Sequence, residues 1–164
     1  VEGEIKSPDL VCIPEVRDYL VLICSTNHPF AKRKTIKLKE LAGESFAMRE
    51  KGSGTRELFE RYLSNNGLEI KIAFEGNSPE AIKKEVINNN YLAVISICLI
   101  EKEVKNSQIH FIESADGAWD RYFSIVYHKD KVLTKGMKSL IEVVRNYKNI
   151  STRLKNHSVS RLVK

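Results

Sequence analysis

The sequence predicts an α/β fold, with a mixed and mostly parallel sheet covered by helices on both faces. Short apolar runs that suit buried strands alternate along the chain with segments whose apolar residues recur at helical spacing. One run, Leu92 to Ile100, is almost wholly apolar, as in a central strand covered on both sides. The 164 residues, 42% hydrophobic and 29% charged, suffice for one globular domain with a sizeable core.

The predicted strands are short apolar runs between polar or turn residues. Asp18 precedes the first run, a Ser-Thr-Asn stretch follows it, and Asp116-Gly117 marks a turn between the last two runs. In chain order the runs are Tyr19–Cys24, Ser45–Met48, Ile70–Phe74, Leu92–Ile100, Ile109–Ile112 and Tyr122–Tyr127.

The predicted helices have recognisable first and last residues. Ser78 is a suitable N-cap, Pro79 suits the first helical position, and Glu80 favours the positive end of the helix dipole. Gly67 accepts the left-handed conformation with which many helices end. The predicted helices are Ile36–Leu41, Thr55–Asn66, the segment from Pro79 to the asparagines at Asn88–Asn90, and Lys135–Tyr147.

The net charge of +6 belongs mainly to the C-terminal end. From Lys131 onward nine Lys or Arg residues accompany one acid, whereas residues 1–130 carry 18 basic and 20 acidic side chains. We interpret the surplus as a solvated basic tail. Nucleic-acid contact through this tail is the alternative, although no zinc-finger spacing, aromatic RNA-binding motif or DNA-reading helix accompanies it.

The three cysteines predict a reducing compartment. The number of cysteines is odd, and Cys12, Cys24 and Cys98 show no CxxC spacing. Cys24 and Cys98 lie in apolar runs. We therefore expect buried free thiols in a cytoplasmic protein. No apolar run approaches the roughly 20 residues of a membrane span, and no signal peptide opens the chain. The first residue is Val rather than Met, which indicates a fragment or a processed product.

The stretch Arg49-Glu-Lys-Gly-Ser-Gly-Thr-Arg56 predicts an anion-binding site. It follows a predicted strand and opens a helix, whose first N–H groups have no partner within the helix and lie at the positive end of its dipole. Gly52 and Gly54 let the backbone bend tightly and let a ligand approach. Ser53 and Thr55 offer hydroxyls, and the flanking arginines add positive charge. The alternative is a good N-cap on a flexible loop.

No constellation of residues predicts catalysis or metal binding. The four histidines lack His-x-x-x-His spacing and a neighbouring cysteine, and neither a P-loop nor a G-x-S-x-G motif occurs. Glu57 and Glu60, beside Arg56 and Arg61, have the spacing of a solvated charged helix face. Trp119, in a turn-like stretch, is expected to pack against the protein, with a position covering a cleft as the alternative. We therefore expect a protein that is not an enzyme and has no cofactor and no metal.

Three successive segments resemble the effector-binding domain of LysR-type transcriptional regulators. They are Asn27-His-Pro-Phe-Ala31, Ile36-Lys-Leu-Lys-Glu-Leu41 and Phe46-Ala-Met-Arg-Glu-Lys-Gly-Ser-Gly-Thr-Arg56. The likeness continues through Glu75-Gly-Asn-Ser-Pro-Glu-Ala-Ile82, Val94-Ile-Ser96 and Arg121–Lys129, and covers most of residues 1–147. One departure is the turn Asn88-Asn-Asn-Tyr91, where the family usually has a glycine-rich turn.

The resemblance implies two α/β subdomains like those of type II periplasmic binding proteins, with a small-molecule cleft between them. Residues 1–17 would be the end of the first subdomain and the crossover, and residues 18–131 the second effector-binding subdomain. Residues 132–164 would be a C-terminal helix that returns to the first subdomain, with the basic tail. The chain would be truncated at its N-terminus and would lack the helix-turn-helix through which the family binds DNA.

By the same resemblance, the chain is expected to be the ligand-sensing fragment of a bacterial regulator that forms homo-oligomers. The effector, a small anionic metabolite, would contact Gly52, Ser53, Gly54 and Thr55, with Ser96 as a second candidate at the end of the central strand. The alternative is a lobe of a solute-binding protein of periplasmic type, because the fold alone does not separate the two classes. The absence of a signal peptide and the unpaired thiols favour the regulator.

Overall fold

The computed structural model describes residue 1, residue 5 and residues 7–117 and 119–146. These residues fall into two compact units, one of residues 19–119 and one of residues 1–18 with the chain from residue 120 onward. The domain boundaries expected from the sequence, after residues 17 and 131, stay a prediction.

The described residues contain seven strands and four α-helices, joined by loops and short 3-10 helices. The strands are β1 (Leu10–Ser25), β2 (Thr35–Ile36), β3 (Ser45–Arg49), β4 (Lys71–Gly76), β5 (Ala93–Ser96), β6 (Ile109–Ser114) and β7 (Trp119–His128). The helices are α1 (Gly54–Asn65), α2 (Pro79–Asn89), α3 (Glu101–Lys105) and α4, for which residues 135–146 are helical. Short 3-10 helices span Pro29–Lys32, Leu38–Leu41 and Ile97–Leu99.

The sheet is mixed, as the sequence predicts. β1 pairs antiparallel with β5 on one side and with β6 on the other, β2 pairs parallel with β6, and β7 also pairs with β1. β3 and β4 form a parallel pair. A parallel bridge between Phe46 and Leu92 joins β3 to the residue before β5, and the Ala47 N–H donates to the Leu92 carbonyl at 2.8 Å.

The core of unit 19–119 lies on both faces of the sheet, because side chains alternate along β1. Leu22 and its same-face neighbours pack in a cluster with Phe59 and Leu63 of α1. Ile23, on the opposite face, packs in a second cluster with Ile82 and Val86 of α2. Helices therefore cover both faces of the sheet, which confirms the predicted fold class.

The start of α2 is as predicted from the sequence. Ser78 is the N-cap and its hydroxyl accepts a hydrogen bond from the Glu80 N–H at 3.2 Å, with Pro79 as the first helical residue. The helix ends at Asn90, which has φ +59° and ψ +29°. Asn tolerates this left-handed conformation, so the turn forms without the glycines that the family usually has here.

Two predicted elements are shorter than expected. The prediction of a strand over Leu92–Ile100 is wrong beyond Ser96, the last residue of β5. The Ser96 hydroxyl accepts a hydrogen bond from the Cys98 N–H at 3.2 Å, and a 3-10 helix starts there instead. The helix Ile36–Leu41 is wrong at its start. Ile36 is the end of β2, and only Leu38–Leu41 forms a 3-10 turn.

The cysteines differ in exposure, and none of the three forms a disulfide. Cys24 is buried on β1, and burial raises the pKa of its thiol to about 12. The expectation of three buried thiols is wrong for Cys98, which is exposed, and for Cys12, which is partly exposed. The end of β5 at Ser96 explains Cys98, since that residue lies in the 3-10 helix outside the sheet.

Two ion pairs in the unit of residues 1–18 and 120 onward involve buried carboxylates. Arg121 of β7 donates from Nε to the Asp18 carboxylate at 2.8 Å, and both side chains are almost fully buried. Arg145 of α4 donates to the buried Glu15 carboxylate at 3.0 Å. Tyr147, at the end of the helix predicted from the sequence, and the basic tail beyond it lie outside the described residues.

Candidate functional site

The loop between β3 and α1 contains one position at which the backbone has a positive φ angle. Gly52 has φ +88°, a conformation that residues with a Cβ rarely adopt. The Ser53 N–H donates to the Glu50 carbonyl at 3.2 Å, which closes the turn, and the Glu50 N–H donates to the Gly76 carbonyl at the end of β4. Gly54 is the first residue of α1. Of the two glycines singled out in the sequence, Gly52 is therefore the one that the turn itself requires.

The first turn of α1 is open. Ser53 is the N-cap, and the first bond of the helical ladder runs from the Glu57 N–H to the Ser53 carbonyl at 2.9 Å. The N–H groups of Gly54 and Arg56 precede that ladder, and N–H groups at such positions have no acceptor within the helix. A serine at this position usually accepts a hydrogen bond from one of these groups, but the Ser53 side chain makes no capping hydrogen bond.

The Ser53 hydroxyl is buried without a hydrogen-bond partner among the residues that the structure describes. The residue is 6% exposed, so water does not readily replace the missing partner. A buried hydroxyl without a partner costs about 1–3 kcal/mol relative to a satisfied one. Thr55 beside it is equally buried. The chain therefore leaves a polar atom unsatisfied at the open end of a helix.

Arg56 lies beneath this loop and is itself fully engaged. Its side chain is 5% exposed. The guanidinium donates to Glu60 at 2.7 Å, to Glu75 of β4 at 2.6 Å and to the carbonyl of Arg49 at 2.9 Å. Burial acts to lower the pKa of Arg56, but the hydrogen bonds to both carboxylates outweigh it and raise that pKa above its ordinary value. Arg56 thus stays charged and ties α1 to the ends of β3 and β4.

Arg49 is also paired, which changes the charge expected at the loop. Its Nε and Nη2 atoms each donate to a carboxylate oxygen of Glu50 at 2.8 Å. These hydrogen bonds lower the pKa of the Glu50 carboxyl, so both partners are charged at neutral pH. The sequence suggested that Arg49 and Arg56 add positive charge beside the loop. In the structure, neighbouring carboxylates compensate both charges.

Sheet register brings the candidate residues to one edge. β3 is parallel to β4, with Arg49 opposite Gly76, and the bridge at Phe46 makes β3 parallel to the residue before β5. The carboxyl ends of these strands therefore share an edge, where ligands bind in open α/β sheets. Ser96, the last residue of β5, lies at that edge too. Its hydroxyl already caps the following 3-10 helix, and a ligand role for Ser96 stays a prediction.

A second buried cation lies in α2. Lys83, 6% exposed at its side chain, donates to the Leu99 carbonyl at 3.0 Å and to Glu103 at 2.8 Å, and pairs with Glu80 at 2.9 Å. Burial acts to lower the pKa of Lys83, but these carboxylates outweigh it and raise the pKa. For Glu103, burial acts to raise the pKa, and the hydrogen bond from Lys83 outweighs it and lowers the pKa.

Two residues of these clusters escaped sequence reasoning. Glu75 was not linked to Arg56, because they lie 19 positions apart and meet only through the β3–β4 pairing. Lys83 had a usable signal, since it lies between Ile82 and Val86 on the buried face of its helix. A lysine on an apolar stripe needs a carboxylate partner nearby.

The remaining sequence expectations concern residues away from the loop. Trp119 packs against Phe59 with ring centroids 5.1 Å apart and is 2% exposed, which confirms that it packs against the protein. His28 is buried, and its Nδ1 accepts from the Phe30 N–H. Across residues 7–117 and 119–146, no group of three or more His, Cys, Asp and Glu side chains is placed to hold a metal ion. None of the described helices has the length and apolar character needed to cross a membrane.

The described elements define a mixed α/β domain with an open helix start after β3, and comparison with known proteins gives the family. The LysR substrate binding domain family matches residues 1–148. The chain belongs to this family. The HTH-type transcriptional regulator CysL of Bacillus subtilis is 30% identical over 164 residues, which are the whole of this chain and 52% of that protein. The chain thus spans about half the length of this relative.

Solved structures show the same fold. The regulatory domain of CcmR from Synechocystis PCC6803, in complex with 2-PG, superposes with a TM-score of 0.82 at 24% identity, over 90% of this chain and 71% of that one. The effector-binding domain of QuiR, in complex with shikimate, superposes with a TM-score of 0.77 at 18% identity, over 90% of this chain and 69% of that one. At these identities the likeness establishes the fold.

Proposed function

We propose that this chain is the ligand-sensing part of a cytoplasmic, DNA-binding transcriptional regulator, and that the loop Gly52–Thr55 binds an anionic group of its effector. The observation that carries the proposal is the buried Ser53 hydroxyl, which has no partner among the described residues and belongs to the N-cap of an open helix. A ligand at this point would supply the acceptor that the chain does not.

The chemistry of the open turn favours an anion. The N–H groups of Gly54, Thr55 and Arg56 are donors and lie at the positive end of the α1 dipole. The Ser53 hydroxyl can donate as well. A carboxylate offers only acceptors and so satisfies several of these donors at once. Gly52 has no side chain to obstruct the approach of a ligand. The space beside it is open, since nothing lies within 4 Å of the position where a Cβ would be.

The relatives support the regulatory role. CysL is named as an HTH-type transcriptional regulator, and the CcmR and QuiR domains were solved with small molecules bound. Family membership favours a regulator over a lobe of a solute-binding protein. We propose that this chain acts likewise without catalysing a reaction, that DNA is bound by a separate helix-turn-helix of the whole protein, and that the protein works as a homo-oligomer.

The site is tested with Ser53→Ala and, as a matched control on the same helix, Ser64→Ala. Ser64 is exposed and its hydroxyl donates only to the Arg61 carbonyl within its own helix. Acetate, shikimate and 2-PG are titrated into the 15N-labelled full chain at constant ionic strength, and the amide resonance of Gly54 is followed. We expect saturable chemical-shift changes in wild type. The affinity derived from them should fall about tenfold in Ser53→Ala, which corresponds to the loss of one hydrogen bond to a charged group. It should stay unchanged in Ser64→Ala.

The sensing role is tested with the same two variants in the bacterial gene. We expect Ser53→Ala to reduce effector-dependent transcription while the protein still occupies its operator, because DNA binding is proposed to reside elsewhere. An unmoved Gly54 resonance with all three probes, or equal affinity in wild type and Ser53→Ala, would contradict the anion site. Normal induction in the Ser53→Ala strain would contradict its role in sensing.

A further inference from the structure

The two arginines beside the loop are paired with carboxylates that belong to the chain itself. Arg49 pairs with Glu50, and Arg56 pairs with both Glu60 and Glu75. The Arg56 cluster therefore carries one more negative charge than positive. Lys51 is exposed, at the tip of the loop. An anion that reaches the open turn thus meets oriented N–H dipoles and a hydroxyl, beside a buried guanidinium whose charge is more than balanced.

This balance acts differently on ligands of different charge. The open N–H groups can donate to a carboxylate and to a doubly charged oxyanion, so hydrogen bonding does not exclude either ion. The excess negative charge of the Arg56 cluster repels an ion of charge −2 about twice as strongly as one of charge −1. The cluster is close to the site, since Arg56 itself supplies one of the open N–H groups and its guanidinium bonds to the Arg49 carbonyl, just before the loop.

We propose that Glu60 and Glu75 make this site selective for a singly charged group, a carboxylate, over a doubly charged one such as sulfate or a phosphate ester. They do so by holding and cancelling the charge of Arg56. The inference rests on the anion site proposed above and adds its charge specificity. Both carboxylates are nearly half exposed, at 45% for Glu60 and 46% for Glu75, so either can be changed without opening the core.

The experiment compares acetate with sulfate on the full chain. Both are titrated at pH 8 and constant ionic strength, and the Gly54 amide resonance gives the two dissociation constants. The variants are Glu60→Gln and Glu75→Gln, which keep the size of the side chain and remove one charge from the Arg56 cluster. Glu69→Gln is the matched control, because Glu69 is exposed beyond the last residue of α1, at the opposite end of that helix from the loop. The change removes one charge far from the open turn.

We expect wild type to bind acetate more tightly than sulfate. The sulfate-to-acetate affinity ratio should rise about three- to fivefold in Glu60→Gln and in Glu75→Gln, by Coulomb's law at the effective dielectric of a partly buried site. It should rise less in Glu69→Gln. A wild type that prefers sulfate, an unchanged ratio in both cluster variants, or an equal rise in Glu69→Gln would overturn the charge selectivity alone.

The two proposals fail separately. If neither anion moves the Gly54 resonance, the anion site fails and the selectivity fails with it. If acetate binds in a Ser53-dependent manner but the ratio is insensitive to Glu60 and Glu75, the site stands and the selectivity fails. Glu60 lies on the helix surface, so Glu60→Gln still decides the question if Glu75→Gln does not fold.

Discussion

Helices α1 and α2 both follow parallel strands of one sheet and both have a serine as N-cap, but their first turns differ. The Ser78 hydroxyl accepts from the Glu80 N–H, so α2 is closed by its own cap. The Ser53 hydroxyl caps nothing and is buried without a partner in the described part of the chain. The same residue type thus completes one helix and leaves the other open, and it is at the open one that we propose a ligand binds.

The buried cations of the two helices, Lys83 and Arg56, differ in the exposure of the carboxylates that pair with them. Lys83 of α2 bonds to Glu103, whose side chain is 13% exposed, whereas the two carboxylates on Arg56 of α1 are nearly half exposed. The Lys83–Glu103 pair of α2 is therefore buried, whereas Glu80, the other carboxylate on Lys83, is 69% exposed. The α1 cluster faces water, where its charges can act on whatever approaches the loop.

The largest expected effect comes from removing the two cations. Lys83→Met leaves the Glu103 carboxylate buried without its partner, and we expect a loss of about 3 kcal/mol in the free energy of unfolding. Arg56→Met leaves two carboxylates that water can reach, so we expect a smaller loss of ~1.5 kcal/mol. Urea denaturation of the two variants measures both values. Equal losses, or a larger loss for Arg56→Met, would contradict the contrast between the clusters.

A smaller effect is expected from the two capping serines. Ser78→Ala removes a cap and should lower the free energy of unfolding by about 1 kcal/mol. Ser53→Ala removes a buried hydroxyl that has no partner, so the ligand-free chain should be unchanged or slightly more stable. The same urea experiment gives both numbers. A loss of ~1 kcal/mol in Ser53→Ala would show that this serine caps α1 in solution and that the helix is closed.

The smallest effect concerns pH. Because the hydrogen bond from Lys83 lowers the folded-state pKa of Glu103 below its ordinary value of 4.5, its stabilising contribution is present above pH 4.5. That contribution is lost as the pH falls through the folded-state pKa. Glu103→Gln removes the titrating group. The stability difference between wild type and this variant should therefore be constant from pH 7 to about pH 5 and shrink below it. A difference that grows on acidification would contradict this sign.

The parts of the fold that local chemistry determines were predictable from the sequence. Ser78 and Pro79 located the start of α2, and the predicted helix Thr55–Asn66 differs from α1 by one residue at each end. Ser96 shows the limit of this reasoning. An apolar run continues beyond it, but its hydroxyl starts a 3-10 helix and ends the strand, and no hydrophobic pattern carries that information.

The candidate site was predictable in position but not in charge. The glycines and the following amphipathic segment located the open turn before α1. The pairing of Arg56 with Glu75 was hidden, because it depends on the register of β3 against β4 rather than on neighbours in the chain. The sequence indicated a solvated charged face at Arg56, and the structure buries its guanidinium. Tertiary pairing therefore decides how much positive charge the loop presents.

The buried thiol of Cys24 on β1 can report how often the sheet opens. Only a thiolate reacts with maleimides, and a pKa of about 12 leaves roughly one thiol in 10⁵ ionised at neutral pH. An alkylating reagent should modify the exposed Cys98 quickly and reach Cys24 only when the sheet comes apart. In a Cys12→Ser, Cys98→Ser background, the rate at which the reagent labels the remaining cysteine, followed by mass spectrometry, would report how often the native sheet opens.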